Sequence, residues 1–233
     1  MPNATDRPVD LRLIYQRLYD AYGPQHWWPA ESQVPAERQL EVVLGAILTQ
    51  SAAWGNVEKA LARLRKDKCW SVEALRDVPE ERLAELIRPS GYFNAKARKL
   101  KAFISHLWQH HDGDLEKMLS QSGPKLRAEL LSIYGIGDET ADDIMLYAGE
   151  HPSFVIDAYT RRILERLGIV PDAPTYGEYQ QLFHQALPED VALYNEYHAL
   201  LDRHAKEACR KIPLCQTCCL RDLCPTGRSA PDR

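Results

Sequence analysis

The sequence predicts an all-α fold, and three observations carry that expectation. Apolar residues recur at helical spacing almost throughout, glycine and proline cut the chain into helix-length segments, and no stretch alternates as a half-buried strand does. In chain order, Val42 to Leu48 is apolar on nearly every side and reads as a central buried helix. Val57, Ala60, Leu61 and Leu64 then repeat at i, i+3, i+4 and i+7, as do Ala97, Leu100, Ile104 and Leu107. Ala141, Ile144, Met145 and Ala148 follow the same spacing, and Tyr194, Tyr197, Leu201 and His204 form a later stripe. Breaks fall at Pro79, Pro89-Ser90-Gly91, Gly113, Gly123-Pro124 and Gly168. Phe154-Val155-Ile156 is too short an apolar run to count as a strand.

With 233 residues, 45% hydrophobic and 27% charged, the chain is large enough to bury a core. No apolar run approaches the roughly 18 residues of a membrane span. The opening MPNATDRPVDLRLIY lacks the apolar core of a signal peptide. The expectation is a cytoplasmic, nucleoid-associated monomer with no membrane partner. The net charge of −4 does not itself favour nucleic acid, but phosphate affinity depends on where charge sits. Two basic runs stand out: Lys59, Arg63, Arg65, Lys66 and Lys68, and Lys96, Arg98, Lys99 and Lys101. Each is either a solvated helix face or a phosphate-facing one.

Cys209, Cys215, Cys218 and Cys224 give the spacing C-x5-C-x2-C-x5-C. In a cytosolic chain this argues against structural disulfides and for a metal site. Zinc sites usually separate their ligand pairs more widely or recruit histidine. Four thiolates in one compact loop suit a [4Fe–4S] cluster, with zinc or unligated thiols as the alternatives. Cys219 adjoins Cys218, so spacing alone leaves the third ligand open between them. Cys69 reads as a lone buried or half-buried thiol.

Residues 125–150 read as a helix ending at Ser132, a turn Tyr134-Gly135-Ile136-Gly137, and a second helix from about Asp138. The glycines allow a tight turn and close approach of another molecule, and amides at the second helix start can hold a phosphate. A plain helix–turn–helix corner would look the same. Further on, Asp157 follows an apolar run and precedes a helix, the position of an N-cap. A capping role and a catalytic one are compatible, because helix-start amides hold such a carboxylate ionised and aimed.

The hairpin Gly135-Ile136-Gly137, the Val-Ile-Asp157 segment and the four cysteines occur in the order of the endonuclease III family, a helix-hairpin-helix DNA glycosylase superfamily that the chain resembles. His26-Trp27-Trp28-Pro29, Leu44 to Gln50 and Arg88 to Ala97 are more similar to the bacterial 3-methyladenine glycosylases of the MagIII type. The resemblance spans about Trp27 to Cys224. It implies a six-helix barrel with the hairpin, over residues 32–151, and a second helical lobe from residues 1–31 and 152–233 carrying the cluster loop, 209–224. It assigns the third ligand to Cys218, with proline common where Cys219 stands, and the first cysteine loop is one residue shorter than usual.

The resemblance also carries chemistry. Endonuclease III-type lyases place a lysine two positions after the second hairpin glycine, to form a Schiff base with the sugar; here Glu139 stands there, as in the 3-methyladenine type. It implies that Asp157 activates water, that Trp27, Trp28, Trp54 and Glu139 border the pocket for a flipped base, and that Gln50 fills the gap in the duplex, with Gly135, Ile136 and Gly137 on the DNA. Core packing would account equally for the tryptophans, and a surface amide for Gln50. The expected function is a monofunctional glycosylase removing an alkylated purine such as 3-methyladenine from double-stranded DNA. The alternatives are a bifunctional glycosylase/AP lyase acting on oxidised pyrimidines and a non-catalytic binder of damaged DNA.

Overall fold

The computed structural model describes residues 10–30, 32 and 34–230; the opening stretch read for a signal peptide lies largely outside them. Among the described residues the secondary structure is helical only, and no helix is long and apolar enough to cross a membrane. The chain divides into two compact units, one from Trp28 to Ser153, the other made of the segments up to Trp27 and from Phe154 on.

The Trp28–Ser153 unit holds α2 (Pro35–Thr49), α3 (Trp54–Lys66), α4 (Val72–Asp77), α5 (Glu80–Leu86), α6 (Phe93–His111), α7 (Leu115–Leu119), α8 (Gly123–Ser132) and α9 (Asp138–Tyr147). Every residue of α2 from Leu40 to Leu48 is buried, because the helix touches α3, α6, α7 and α9. Glu41 on its buried face is paired at 2.7 Å with Arg65, whose guanidinium lies over the Trp70 ring. The hairpin helices α8 and α9 are joined by a fork: Arg127 donates from Nε to Oδ1 of Asp142 and from Nη2 to Oδ2, at 2.9 and 3.0 Å. Asp142 is wholly buried and also accepts from the Ser153 hydroxyl. A buried carboxylate needs such compensation, since stranding it costs several kcal/mol. Glu129 of α8 is held to α6 by His106 and His111 and accepts from Gln121. Burial alone would raise its pKa, but those hydrogen bonds outweigh it and hold it down, at about 2.

The other unit contains α1 (Leu11–Tyr22), α10 (Ala158–Arg166), α11 (Tyr176–Ala186), α12 (Val191–Glu207) and the short α13 (Pro225–Arg228). Leu11, Ile14 and Leu18 bury one stripe of α1, which packs on α11 and α12. The expected stripe Tyr194, Tyr197, Leu201 and His204 faces inward from α12. Phe154 stacks on Phe183 with ring centroids 3.7 Å apart, and Tyr197 meets both edge-on. Phe154-Val155-Ile156 is buried without forming a strand.

Candidate active site

The hairpin is built as its glycines dictate, but the two glycines differ. Gly135 has φ +86°, a conformation that L side chains rarely adopt, and a Cβ there would lie 2.3 Å from Cγ of Lys99. Gly137 has φ −101° and ψ −178°, extended backbone open to any residue, with open space where a Cβ would stand. Gly135 is needed by the fold, whereas Gly137 is small only toward the outside. Between them Ile136 is buried and its N–H donates to the Ile133 carbonyl, so its amide serves the turn itself. Gln50, just past the end of α2, is not a loose surface amide. Its Nε2 donates to the Gly135 carbonyl (3.0 Å) and to Oγ1 of Thr140 (2.9 Å), and its Oε1 accepts from the Lys99 ammonium.

The basic run on α6 is neither a solvated face nor simply a phosphate-facing one. Lys96 is 2% exposed and donates to the carbonyls of Leu48 and Ser90 at 2.7 and 2.6 Å, and burial pulls its pKa down to about 8. Lys101 donates to the carbonyls of Leu75, Arg76 and Val78. Of the other run, Lys59, Arg63, Lys66 and Lys68 are exposed.

Trp28 is buried and Trp54 half-buried, and their rings meet edge-to-face at 4.9 Å. Trp28 also lies against Tyr147. Its ring occupies the space where a Cβ on Gly45 would stand, at 2.4 Å, so the glycine within α2 exists to admit the indole. Trp27 is half-buried in the other unit, and Glu139 is exposed on the first turn of α9. Tyr92, which the sequence pattern did not single out, is an aromatic 76% exposed at the start of α6 with φ 45°.

Asp157 caps α10. Its Oδ1 accepts from the Thr160 N–H at 2.7 Å, its Oδ2 lies 4.0 Å from Nε2 of His198, and the side chain is 19% exposed. The carboxylate is thus aimed by its own helix while part of it stays accessible.

Cys209, Cys215, Cys218 and Cys224 all line one cavity, with Ile163, Leu167 and Leu220 among its apolar walls. Arg166 of α10 donates to Sγ of Cys209 at 3.1 Å and to the carbonyls of Arg210 and Lys211, which fastens the cysteine loop to that helix. Cys218 Sγ is 3.6 Å from Nε2 of His204, whose Nδ1 meets the Tyr22 hydroxyl. Burial raises the Cys218 thiol to about 11, and the nearby Cys219, Cys209 and Cys224 push in the same direction. Cys219 is not part of the cavity wall and hydrogen-bonds with Tyr22. Among the described residues, no three His, Cys, Asp or Glu side chains converge as they would on a single metal ion. Cys69 is buried elsewhere, in the Trp28–Ser153 unit.

The family profile described as HhH-GPD superfamily base excision DNA repair protein matches residues 44–189. A Methanocaldococcus jannaschii protein, provisionally named a DNA repair glycosylase, is 44% identical over 91% of this chain and 94% of its own. Among solved structures, the 3-methyladenine DNA glycosylase MagIII of H. pylori, bound to 1,N6-ethenoadenine, superposes with TM-score 0.72 at 24% identity, covering 85% of this chain and 98% of that one. An endonuclease III trapped as a covalent intermediate with DNA gives 0.79 at 21%, covering 93% and 95%. At these identities the structural likenesses speak for the fold.

Proposed function

The chain belongs to the HhH-GPD superfamily of base excision DNA repair proteins and is a DNA repair glycosylase; within that activity we propose a monofunctional enzyme that removes alkylated purines by hydrolysis. The observation carrying this reading is the seat of Asp157, with one carboxylate oxygen tied to the Thr160 amide, the other 4.0 Å from His198 Nε2, and part of the side chain exposed. Water attacks the sugar C1′ as the C1′–N bond breaks, and Asp157 takes the proton. The departing base keeps the bonding pair, which cancels the positive charge of an alkylated purine, so no strong general acid is required. Until the new bond forms, the carboxylate stabilises the cationic sugar. Opposite charges about 4 Å apart at effective ε near 20 attract by roughly 4 kcal/mol, on the order of a thousandfold in rate.

A flipped base is assigned to the aromatic surface of Trp28 and Trp54, with Glu139 of the same unit at its border. Stacking a cationic base on indole is favourable by about 0.5–2 kcal/mol. The base bound in the MagIII structure, 1,N6-ethenoadenine, is also a modified adenine. Glu139, on the first turn of α9, is a carboxylate and cannot form a Schiff base.

Cys209, Cys215, Cys218 and Cys224 would hold a [4Fe–4S] cluster; what supports this is that all four thiols line one cavity with apolar walls. When bound, such a cluster cross-links the loop through four iron–thiolate bonds and requires all four cysteines as thiolates.

The test is excision from duplexes carrying methylated, deaminated or oxidised bases. Release of 3-methyladenine well above the other bases, leaving abasic sites that break only under alkali, is expected. Preferential release of an oxidised pyrimidine with strand cleavage would favour the lyase reading instead.

A further inference from the structure

We propose that Lys99 is a positioning residue for DNA binding, locking Gln50 as a strut that fixes the hairpin; the inference rests on the reading that this hairpin grips duplex DNA. The ammonium of Lys99 only donates, so the oxygen of the Gln50 amide must face it and the NH2 must face away. That NH2 meets two acceptors on the hairpin, the Gly135 carbonyl and Oγ1 of the buried Thr140. One amide therefore reaches the turn and the first turn of α9 together, from the end of α2.

The stem of Lys99 lies flat on Gly135, with Cγ, Cδ and Cε within 2.9 Å of where a Cβ would be. The absent side chain at Gly135 is thus what lets Lys99 reach Gln50. Without the ammonium, the Gln50 oxygen loses its donor, and only the Gly135 carbonyl still selects the amide orientation. The peptide after Gly135, and with it the approach of Gly137 to a phosphate backbone, then loses part of its support.

Affinity for an undamaged duplex, read by fluorescence anisotropy over a range of salt, tests this with Lys99→Met, Gln50→Leu and the double variant. Methionine keeps the stem over Gly135 and removes only the charge. Each single change should weaken binding about tenfold, the double no more than the worse single, and Lys99→Arg should recover most of the loss. The slope of log affinity against log salt should not change with Lys99→Met, because that charge is spent on Gln50, whereas a phosphate contact would lower it by about 1. Thr140→Val, which cuts the strut at its other end, should reproduce the Gln50→Leu loss. Losses that multiply in the double variant, a reduced salt slope, or unchanged binding in all variants would overturn the proposal. Because no lesion is present, a wrong assignment of the damaged base leaves this result untouched, while a wild type that fails to bind duplex DNA removes the reading beneath it.

Discussion

Two helix starts, one in each unit, meet the same electrostatic problem in opposite ways. At α10 the exposed amides are met by a side chain: Asp157 turns back onto Thr160 and is held there. At α9 the N-cap is Gly137, which has no side chain, and the acids Asp138 and Glu139 stand in the first turn instead. Asp138 is occupied by Arg127 at 2.8 Å, and Glu139 is exposed. An acid that caps its helix is fixed in direction by the helix amides, which suits proton transfer; a first-turn acid feels the dipole without capping the helix. A helix start left bare by glycine suits approach by a phosphate. Position along a helix start, rather than the presence of a carboxylate, separates the catalytic candidate from the other acids.

The largest effect should come from the capped start. Asp157→Asn keeps a good N-cap while losing the charge, so single-turnover excision should fall on the order of a thousandfold with little change in melting temperature. A mutant still excising within about tenfold of wild type would end the distinction. The same unit carries the cysteine loop fastened by Arg166. Protein purified anaerobically should be brown with about four irons, and Cys218→Ser should lose the colour while Cys219→Ser keeps it; the opposite pattern would move the ligand to Cys219, and colourless protein with stoichiometric zinc would replace the cluster altogether. At the glycine start, Gly137→Val has space in the free protein, so its melting temperature should hold. Affinity for damaged and undamaged duplexes should drop about equally, by roughly tenfold, as expected of a backbone contact. Unaltered affinity would make the corner purely structural. The smallest effect belongs to Glu139→Gln, which should alter excision by no more than about twofold, since a first-turn acid contributes roughly 0.3–1 kcal/mol to its helix.

Much of this was legible in the sequence because it is local. The burial of α2, the break after Ser132, the helix from Asp138 and the cap at Asp157 all follow from periodicity and turn chemistry within a few residues. What could not be read was set by distant partners. Lys96 looked like part of a charged helix face, yet its ammonium is spent on a carbonyl 48 residues away. Gln50 meets the hairpin across 85 and 90 residues of sequence, and no pattern around it announces the contact. The contrast between Gly135 and Gly137 was equally hidden, since Gly-x-Gly reads the same whichever glycine carries the positive φ.

The state of the sugar after base release distinguishes attack by water from attack by an amine. Borohydride added during turnover of the wild-type enzyme on its best substrate should trap almost no covalent protein–DNA adduct, and the product should be an intact abasic strand, because the proposed nucleophile is an aspartate-activated water and not an amine. Adduct forming at the rate of base release would contradict attack by water and would mean that a lysine amine attacks C1′ instead.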